Sequence, residues 1–416
     1  MHKQNTLTRR TFLAAPLLLA PGVFAQPGRR GAGDRVVTGH IGVGARGRAL
    51  LERVRHGAAA VCDVDEDHLA EGAALVGAGV RVYRDYRELL EQPDIDAVII
   101  ATPDHWHALQ AVHACEAGKD VYIETPACRV FEEAEAILRA AAWYGRVAHV
   151  GASGPRSAAA AFLRKRMRDG ALGPLRRVSC WGAANPEGGD PAGNRRAPAT
   201  LDWDRWIGPS RWMPYNPDRS HGNWRWLFDI GGGNARQQGA ELLQTALEAL
   251  GAPHTGKVTV SAQGAAPSAG FWDCPTTLEA TWSFSGGAAE QAGASTIHWR
   301  QPGPDDASTA GLLSEGEIET LRLDRCGDQW RVEGQDDGAH EDADPVGRWL
   351  DAVRAGRRGA DAELETACRA AALATLANVA WRLGRPVTYD LDTGGYGGDT
   401  QAERLMRAPG RGPYRL

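Results

Sequence analysis

From Val36 the chain reads Val-Val-Thr-Gly-His-Ile-Gly-Val-Gly-Ala-Arg-Gly-Arg-Ala-Leu-Leu, an apolar strand that runs through Gly42-x-Gly44-x-x-Gly47 into a helix. Glycines at this spacing suit one purpose above others: a tight turn needs free backbone angles, and a pyrophosphate must approach helix N–H groups with no Cβ in its way. A second short apolar run, 58–62, ends at Asp63, 21 residues after Gly42. A carboxylate at such a strand end can accept hydrogen bonds from both hydroxyls of an adenosine ribose and repels a 2′-phosphate, which favours NAD over NADP. Arg46, inside the loop, is placed to blunt that repulsion.

The alternation continues. Helices are expected over 66–76, 86–91, 105–117 and 131–144, and strands over 80–83, 97–101, 121–123 and 147–150. Strands and helices alternating at this spacing make a doubly wound parallel sheet, here over residues 35–150. Beyond it, strands are expected over 258–262, 277–284, 295–299 and 319–323, then helices over 345–355 and 363–383. Strands with few long crossovers imply a largely antiparallel open sheet. The fold class is therefore α/β, with an N-terminal parallel sheet and a C-terminal α+β unit over 151–390. Residues 391–416 form a tail packed on the fold.

Composition removes other classes. The chain has 416 residues, 43% apolar and 24% charged, which suits two or three folded domains and excludes a disordered protein. Its 47 Lys and Arg against 52 Asp and Glu leave no basic excess for nucleic acid or anionic lipid. The cations are almost all arginine, with Lys3, Lys119, Lys165 and Lys257 the four lysines. Seven cysteines, none at C-x-x-C spacing, support neither a zinc site nor a disulfide framework and read as small buried residues.

The N-terminus has a different character. Thr8-Arg9-Arg10-Thr11-Phe12-Leu13 leads an apolar stretch that ends Val23-Phe24-Ala25 and is broken by Pro16 and Pro21. It has the parts of a twin-arginine export signal and is too short to span a bilayer, which takes about 20 apolar residues. The expectation is a signal over 1–25, a linker over 26–34, and a periplasmic or otherwise exported product handled by the twin-arginine machinery. Cleavage after Ala25 removes three cations and no acid, so the formal charge moves from −5 to −8.

Several separated motifs now carry a resemblance. Ala101-Thr102-Pro103-Asp104-His105-Trp106-His107 is followed by Ala117-Gly118-Lys119-Asp120-Val121-Tyr122-Ile123-Glu124-Thr125-Pro126. Further on stand Leu201-Asp202-Trp203-Asp204-Arg205-Trp206-Ile207-Gly208-Pro209, Trp224-Arg225-Trp226, Gly231-Gly232-Gly233-Asn234, Leu383-Gly384-Arg385-Pro386 and Gly398-Asp399. In this order they resemble the Gfo/Idh/MocA oxidoreductases, specifically a twin-arginine-exported branch. The resemblance implies a Rossmann domain that binds a nicotinamide cofactor and a second domain that binds sugars, glycosides or cyclitols, commonly in a homo-oligomer. By position, Gly42, Gly44 and Gly47 would cradle pyrophosphate and Asp63 the adenosine ribose. Thr102, Pro103 and His107 would border the nicotinamide, with Glu124 on its ribose. His105 and His107 read otherwise as caps or surface groups, and no third ligand at recognisable spacing argues for a metal.

The departures from the family pattern fall on the chemistry. The usual Glu-Lys-Pro is Glu124-Thr125-Pro126, and threonine supplies a hydroxyl dipole without charge. After the glycine run, Asn234 can cap a helix that stops at Gly251. The family's Asp, His and second Asp on that helix are here Gln237, Glu241 and Gln244, which at 100° per residue share one stripe, while Leu243, Leu247 and Leu250 face the core. Two readings stand. In one, Glu241 is the acid or base, with Thr125 and Gln237 beside it, and tightly bound NAD serves redox-neutral chemistry on a sugar, glycoside or cyclitol. In the other, the protein is a non-catalytic pseudoenzyme that binds carbohydrate or a partner subunit. Five of the 14 Trp lie between Trp203 and Trp226 in a long irregular stretch beginning near Asn185. Such loops are usually functional. Trp203 and Trp206 are expected to pin it by burial; Trp224 and Arg225, with Gln244 from the polar stripe, are the candidate substrate contacts, and His221 is a candidate replacement base.

Overall fold

The computed structural model describes residues 35–151, 165–166, 169–170, 175–250, 255–285, 296–303, 310–316, 320–326, 329–332, 344–360 and 362–416. The expected signal, linker and Gly251 helix stop lie outside these residues.

The first unit holds β1 (Thr38–Ile41), β2 (Ala58–Cys62), β3 (Arg81–Tyr83), β4 (Ala97–Ile100), β5 (Asp120–Ile123) and β6 (Ala148–Val150). All pair in parallel, in the order β3-β2-β1-β4-β5-β6. Between them run α1 (Ala45–Val54), α2 (Glu66–Val76), α3 (Tyr86–Leu90), α4 (Asp104–Glu116) and α5 (Phe131–Trp143). Every residue of β1 and β4 is buried, as a strand covered by helices on both faces requires. Asp65 and Asp85 cap α2 and α3 by accepting from the backbone N–H groups of Asp67 and Arg87. The strand order reverses between β1 and β4, so a crevice opens beyond their carboxyl ends.

The second unit is an eight-stranded sheet of β7 (Leu175–Gly182), β8 (Lys257–Gln263), β9 (Leu278–Ser285), β10 (Thr296–Gln301), β11 (Ala310–Gly316), β12 (Thr320–Cys326), β13 (Gln329–Val332) and β14 (Val387–Asp390). Its order is β13-β12-β11-β7-β10-β9-β8-β14, and only the β7–β10 pair is parallel, so the largely antiparallel expectation holds. Strands β7, β11, β13 and β14 were not anticipated. Central strand β7 pairs with β10 and β11, more than 100 residues away, and no local pattern announces such partners.

The helices that follow in the chain are α6 (Trp203–Ile207), α7 (Gly233–Gln237), α8 (Gly239–Leu250), α9 (Pro345–Arg354), which packs on the first unit through Val346, Trp349 and Val353, α10 (Ala362–Leu383) and α11 (Thr400–Leu405). Ala370, Ala371, Ala372, Ala374, Ala377 and Ala380 of α10 are fully buried. Small side chains let it pack closely against α8, β8, β9 and α5 together. One hydrophobic core thereby runs from Ile41 in the first unit to Trp282 and Tyr414 in the second. Cys128 and Cys368 meet across that boundary, the Cys128 Sγ donating to the Cys368 carbonyl at 3.3 Å. Among the described residues six cysteines are free, and all six are buried.

The expected single helix from Asn234 is a correction. It is interrupted at Gln238, whose side chain accepts from the Ala183 N–H at 2.9 Å. Asn234 caps nothing: Gly232 occupies the cap position, and the Asn234 amide donates to the Ala183 and Ala184 carbonyls.

Candidate functional site

A cavity of about 340 Å³ follows the crevice from Asp63 and His68, past Gly42, Gly44 and Arg46, to Thr102, Asp104, Glu124, Thr125 and Gln237. Trp206, His221, Trp224 and Arg225 from the long loop and Tyr414 from the C-terminal tail complete its wall.

The three glycines have different causes. Gly42 has φ +84°, and a Cβ there would stand 2.8 Å from the Ala101 carbonyl carbon. A Cβ on Gly47 would meet the Gly42 carbonyl oxygen at 2.0 Å. Turn and helix packing therefore exclude side chains at both. At Gly44, with φ −63°, the nearest atom to a Cβ is His68 Cε1 at 3.6 Å, so the protein itself leaves room. An open cradle of this kind, at the N-terminus of α1, is what a diphosphate would fill. Asp63 is held by the N–H groups of Val43 at 2.8 Å and Asp65 at 3.0 Å. Burial pushes its carboxyl up, against those two hydrogen bonds. Each oxygen keeps lone pairs for ribose hydroxyls. These residues fit an NAD-type dinucleotide.

Arg46 reaches away from Asp63 and pairs with Glu124 at 2.8 Å, so it does not offset the repulsion of a 2′-phosphate at Asp63 as anticipated. Thr102 donates to Gln110 at 2.8 Å. His105 and His107 are corrections too: both are buried, neither caps nor surface groups. His107 spans the Pro126 carbonyl at 2.8 Å and the Thr102 carbonyl at 2.7 Å, tying together the segments that follow β5 and β4. His105 meets the Trp206 carbonyl at 2.9 Å, and burial lowers its pKa to about 3.

The polar stripe does not survive folding. Gln237 lines the cavity, but Glu241 and Gln244 are not among its lining residues. The interruption at Gln238 separates them, and Gln244 is buried and donates to Glu248 at 3.0 Å. Gln237 donates to Asp104 Oδ2 at 2.7 Å and to the Gly231 carbonyl at 2.9 Å. Buried Arg236 stands 3.4 Å from the same Asp104 oxygen. Burial pushes the Asp104 carboxyl up, opposed first by Arg236. Sequence reasoning gave Asp104 and Arg236 no role, since their meeting with the rest of this cluster joins residues more than 130 positions apart.

Trp224 and Arg225, the expected substrate contacts, both line the cavity, with the guanidinium 4.4 Å from the indole centroid. Trp206, assigned to burial alone, lines it as well and stacks on Trp203 at 4.7 Å. His221 lies at the adenosine end, 2.9 Å from Asp65, and not beside Thr125. It forms a group with Asp65 and His68 whose ligand-type atoms lie within 4.8 Å of one another, a convergence that sequence spacing did not reveal.

A parallel sheet reversing at β1/β4, a glycine cradle and an acid at the end of β2 define a dinucleotide-binding fold. The profile described as "Oxidoreductase family, NAD-binding Rossmann fold" matches residues 37–152, and "Oxidoreductase family, C-terminal alpha/beta domain" matches residues 185–272. The chain belongs to the Gfo/Idh/MocA oxidoreductase family, and its first unit is an NAD-binding Rossmann domain.

Relatives include a glycosyl hydrolase family 109 protein of Shewanella sp. (strain W3-18-1), 37% identical over 112 residues, which are 24% of each chain. A levoglucosan dehydrogenase of Pseudarthrobacter phenanthrenivorans is 39% identical over 91 residues, 22% of this chain and 23% of that one. The chain thus matches about a quarter of these relatives' length. Among solved structures, the WlbA dehydrogenase of Bordetella pertussis in complex with NADH and UDP-GlcNAcA superposes with a TM-score of 0.62 at 18% identity, covering 85% of this chain and 98% of that one. Levoglucosan dehydrogenase in complex with NADH and levoglucosan gives 0.59 at 18% identity, with the same coverage. At this identity they share the fold.

Proposed function

We propose that this protein holds NAD along the crevice and acts on a sugar, glycoside or cyclitol, by chemistry that leaves the substrate's net oxidation state unchanged. One observation carries the reading: a single cavity joins the Gly44 cradle and Asp63 to a polar end walled by Thr125, Gln237 and aromatic side chains. Backbone N–H groups of the glycine loop would hold the pyrophosphate, Asp63 would accept from the adenosine ribose, and Thr102, Pro103 and His107 would border the nicotinamide, with Glu124 on its ribose. A bound nicotinamide would supply hydride chemistry there. Trp206 and Trp224 exclude water and offer apolar faces to a sugar ring. Thr125 offers a hydroxyl dipole, and Arg225 donates to substrate hydroxyls.

Export fits retained cofactor. Residues 1–25 would direct twin-arginine secretion, and outside the cytoplasm no nicotinamide pool would reoxidise a cofactor that left. The two-armed test uses the mature chain: absorbance of co-purified nicotinamide with an NADH fluorescence titration, then turnover of a panel of glycosides and cyclitols. Absence of both bound and bindable NADH would sink the cofactor reading; net accumulation of NADH during turnover would sink the redox-neutral one.

A second reading, a carbohydrate-binding pseudoenzyme, is favoured by the absence of an ionisable side chain at positions 125 and 237 and by Glu241 standing off the cavity wall. Because Glu241 stands off the wall, a catalytic part for it is indirect. Turnover that falls in Glu241→Gln supports that part; equal rates remove Glu241 from the mechanism.

A further inference from the structure

We propose that Asp65, His68 and His221 form a binding site for one divalent transition-metal ion of the zinc type, which fastens the long loop to the first unit. The donor set is one carboxylate and two imidazoles, a combination that zinc accepts and that magnesium and calcium do not favour. With metal–ligand bonds of about 2.1 Å, two ligands of a tetrahedral zinc stand about 3.4 Å apart. The three donor atoms lie within 4.8 Å of one another and His221 Nε2 is 2.9 Å from Asp65 Oδ2, so the group brackets that spacing.

The ligands come from two segments that only the fold brings together. Asp65 and His68 belong to the start of α2, whereas His221 belongs to the loop 156 residues beyond Asp65. The carboxylate is already oriented, since Asp65 Oδ1 accepts from the Asp67 N–H at 2.9 Å and leaves Oδ2 toward His221. A neighbouring acid, Asp63 Oδ2 at 3.8 Å from His68 Nδ1, adds negative charge beside the site. His221 is the exposed member, so an ion can enter from solvent and keep water in its fourth position.

The consequence reaches the cavity. Gly222, Trp224 and Arg225 follow His221 directly and form part of the wall, so an ion that fixes His221 fixes them over the crevice. The site does not depend on the carbohydrate reading, because the ion is measured on the protein without cofactor or sugar.

The test is equilibrium dialysis of metal-stripped mature protein against zinc chloride, with bound metal counted by elemental analysis, and a thermal melt with and without zinc. The expected result is one zinc per chain and a raised melting temperature. His221→Gln and His68→Gln should each lower zinc affinity at least tenfold while far-UV circular dichroism stays that of the wild type. A second arm measures NADH release, which zinc should slow severalfold in the wild type and leave unchanged in His221→Gln. Wild-type protein without stoichiometric zinc, or variants that bind it as tightly, would overturn the proposal and leave the Asp65–His221 contact a simple hydrogen bond.

Discussion

Single residues separate structural from ligand-facing demands most cleanly in the glycine loop. Gly47→Ala drives a Cβ into the Gly42 carbonyl, and such overpacking costs about 1–3 kcal/mol. Gly44→Ala meets ordinary contacts only. The expected outcome is a lowered melting temperature for Gly47→Ala, and for Gly44→Ala a near-native melt with NADH affinity reduced about tenfold or more, read by calorimetry and fluorescence titration. Position 237 gives a second residue-scale prediction. Its amide donates to buried Asp104, so Gln237→Asp would set a second, half-buried carboxylate against it. Destabilisation of about 2 kcal/mol or more is expected, largely relieved by adding Asp104→Asn in a double-mutant cycle. The occupants of positions 125, 237 and 241 were legible in the sequence; which of them faces the cavity was not, because the break at Gln238 arises from its hydrogen bond to Ala183, 55 positions away.

At the scale of elements, β1, α1, β2, α2 and their successors were readable because each is decided by neighbours within a dozen residues: apolar runs, aspartate caps, glycine turns. The connections between elements were not. Buried Arg129 and Glu133 illustrate this: their ion pair at 2.5 Å sits just before and within α5, and Arg129 also donates to the Asp229 carbonyl of the long loop at 2.9 Å. Glu133→Gln leaves a buried guanidinium without its counter-charge, and a loss of about 3–5 kcal/mol is expected in urea unfolding. Four strands of the second sheet went unanticipated for a related reason. Parallel β7–β10 pairing spans more than 100 residues, and β14 takes its identity from the edge of β8.

For the whole molecule, acid stability follows from histidines buried as neutral rings. Burial holds His40 and His105 at about 3, against about 6.5 in the unfolded chain. Between those values the unfolded chain binds more protons, so stability falls as pH drops from 6.5 toward 3, by about 1.4 kcal/mol per pH unit for each ring. Asp63 and Asp104, raised by burial, work in the opposite sense above their unfolded pKa, so the measurement is a comparison: His40→Asn should show a shallower loss of melting temperature on acidification than the wild type.

What the sequence determined alone was the α/β class, the NAD-type glycine loop with Asp63, the family, and the residue types that stand at positions 125, 237 and 241. These are properties of residue type and short spacing. The tertiary structure alone decided that Arg46 serves Glu124, that Asp104 and not another carboxylate meets Gln237, that Glu241 stands off the wall, and that His221 joins Asp65 and His68. Each of these depends on packing between segments tens to more than a hundred residues apart, where the shared core fixes distances that no local pattern encodes.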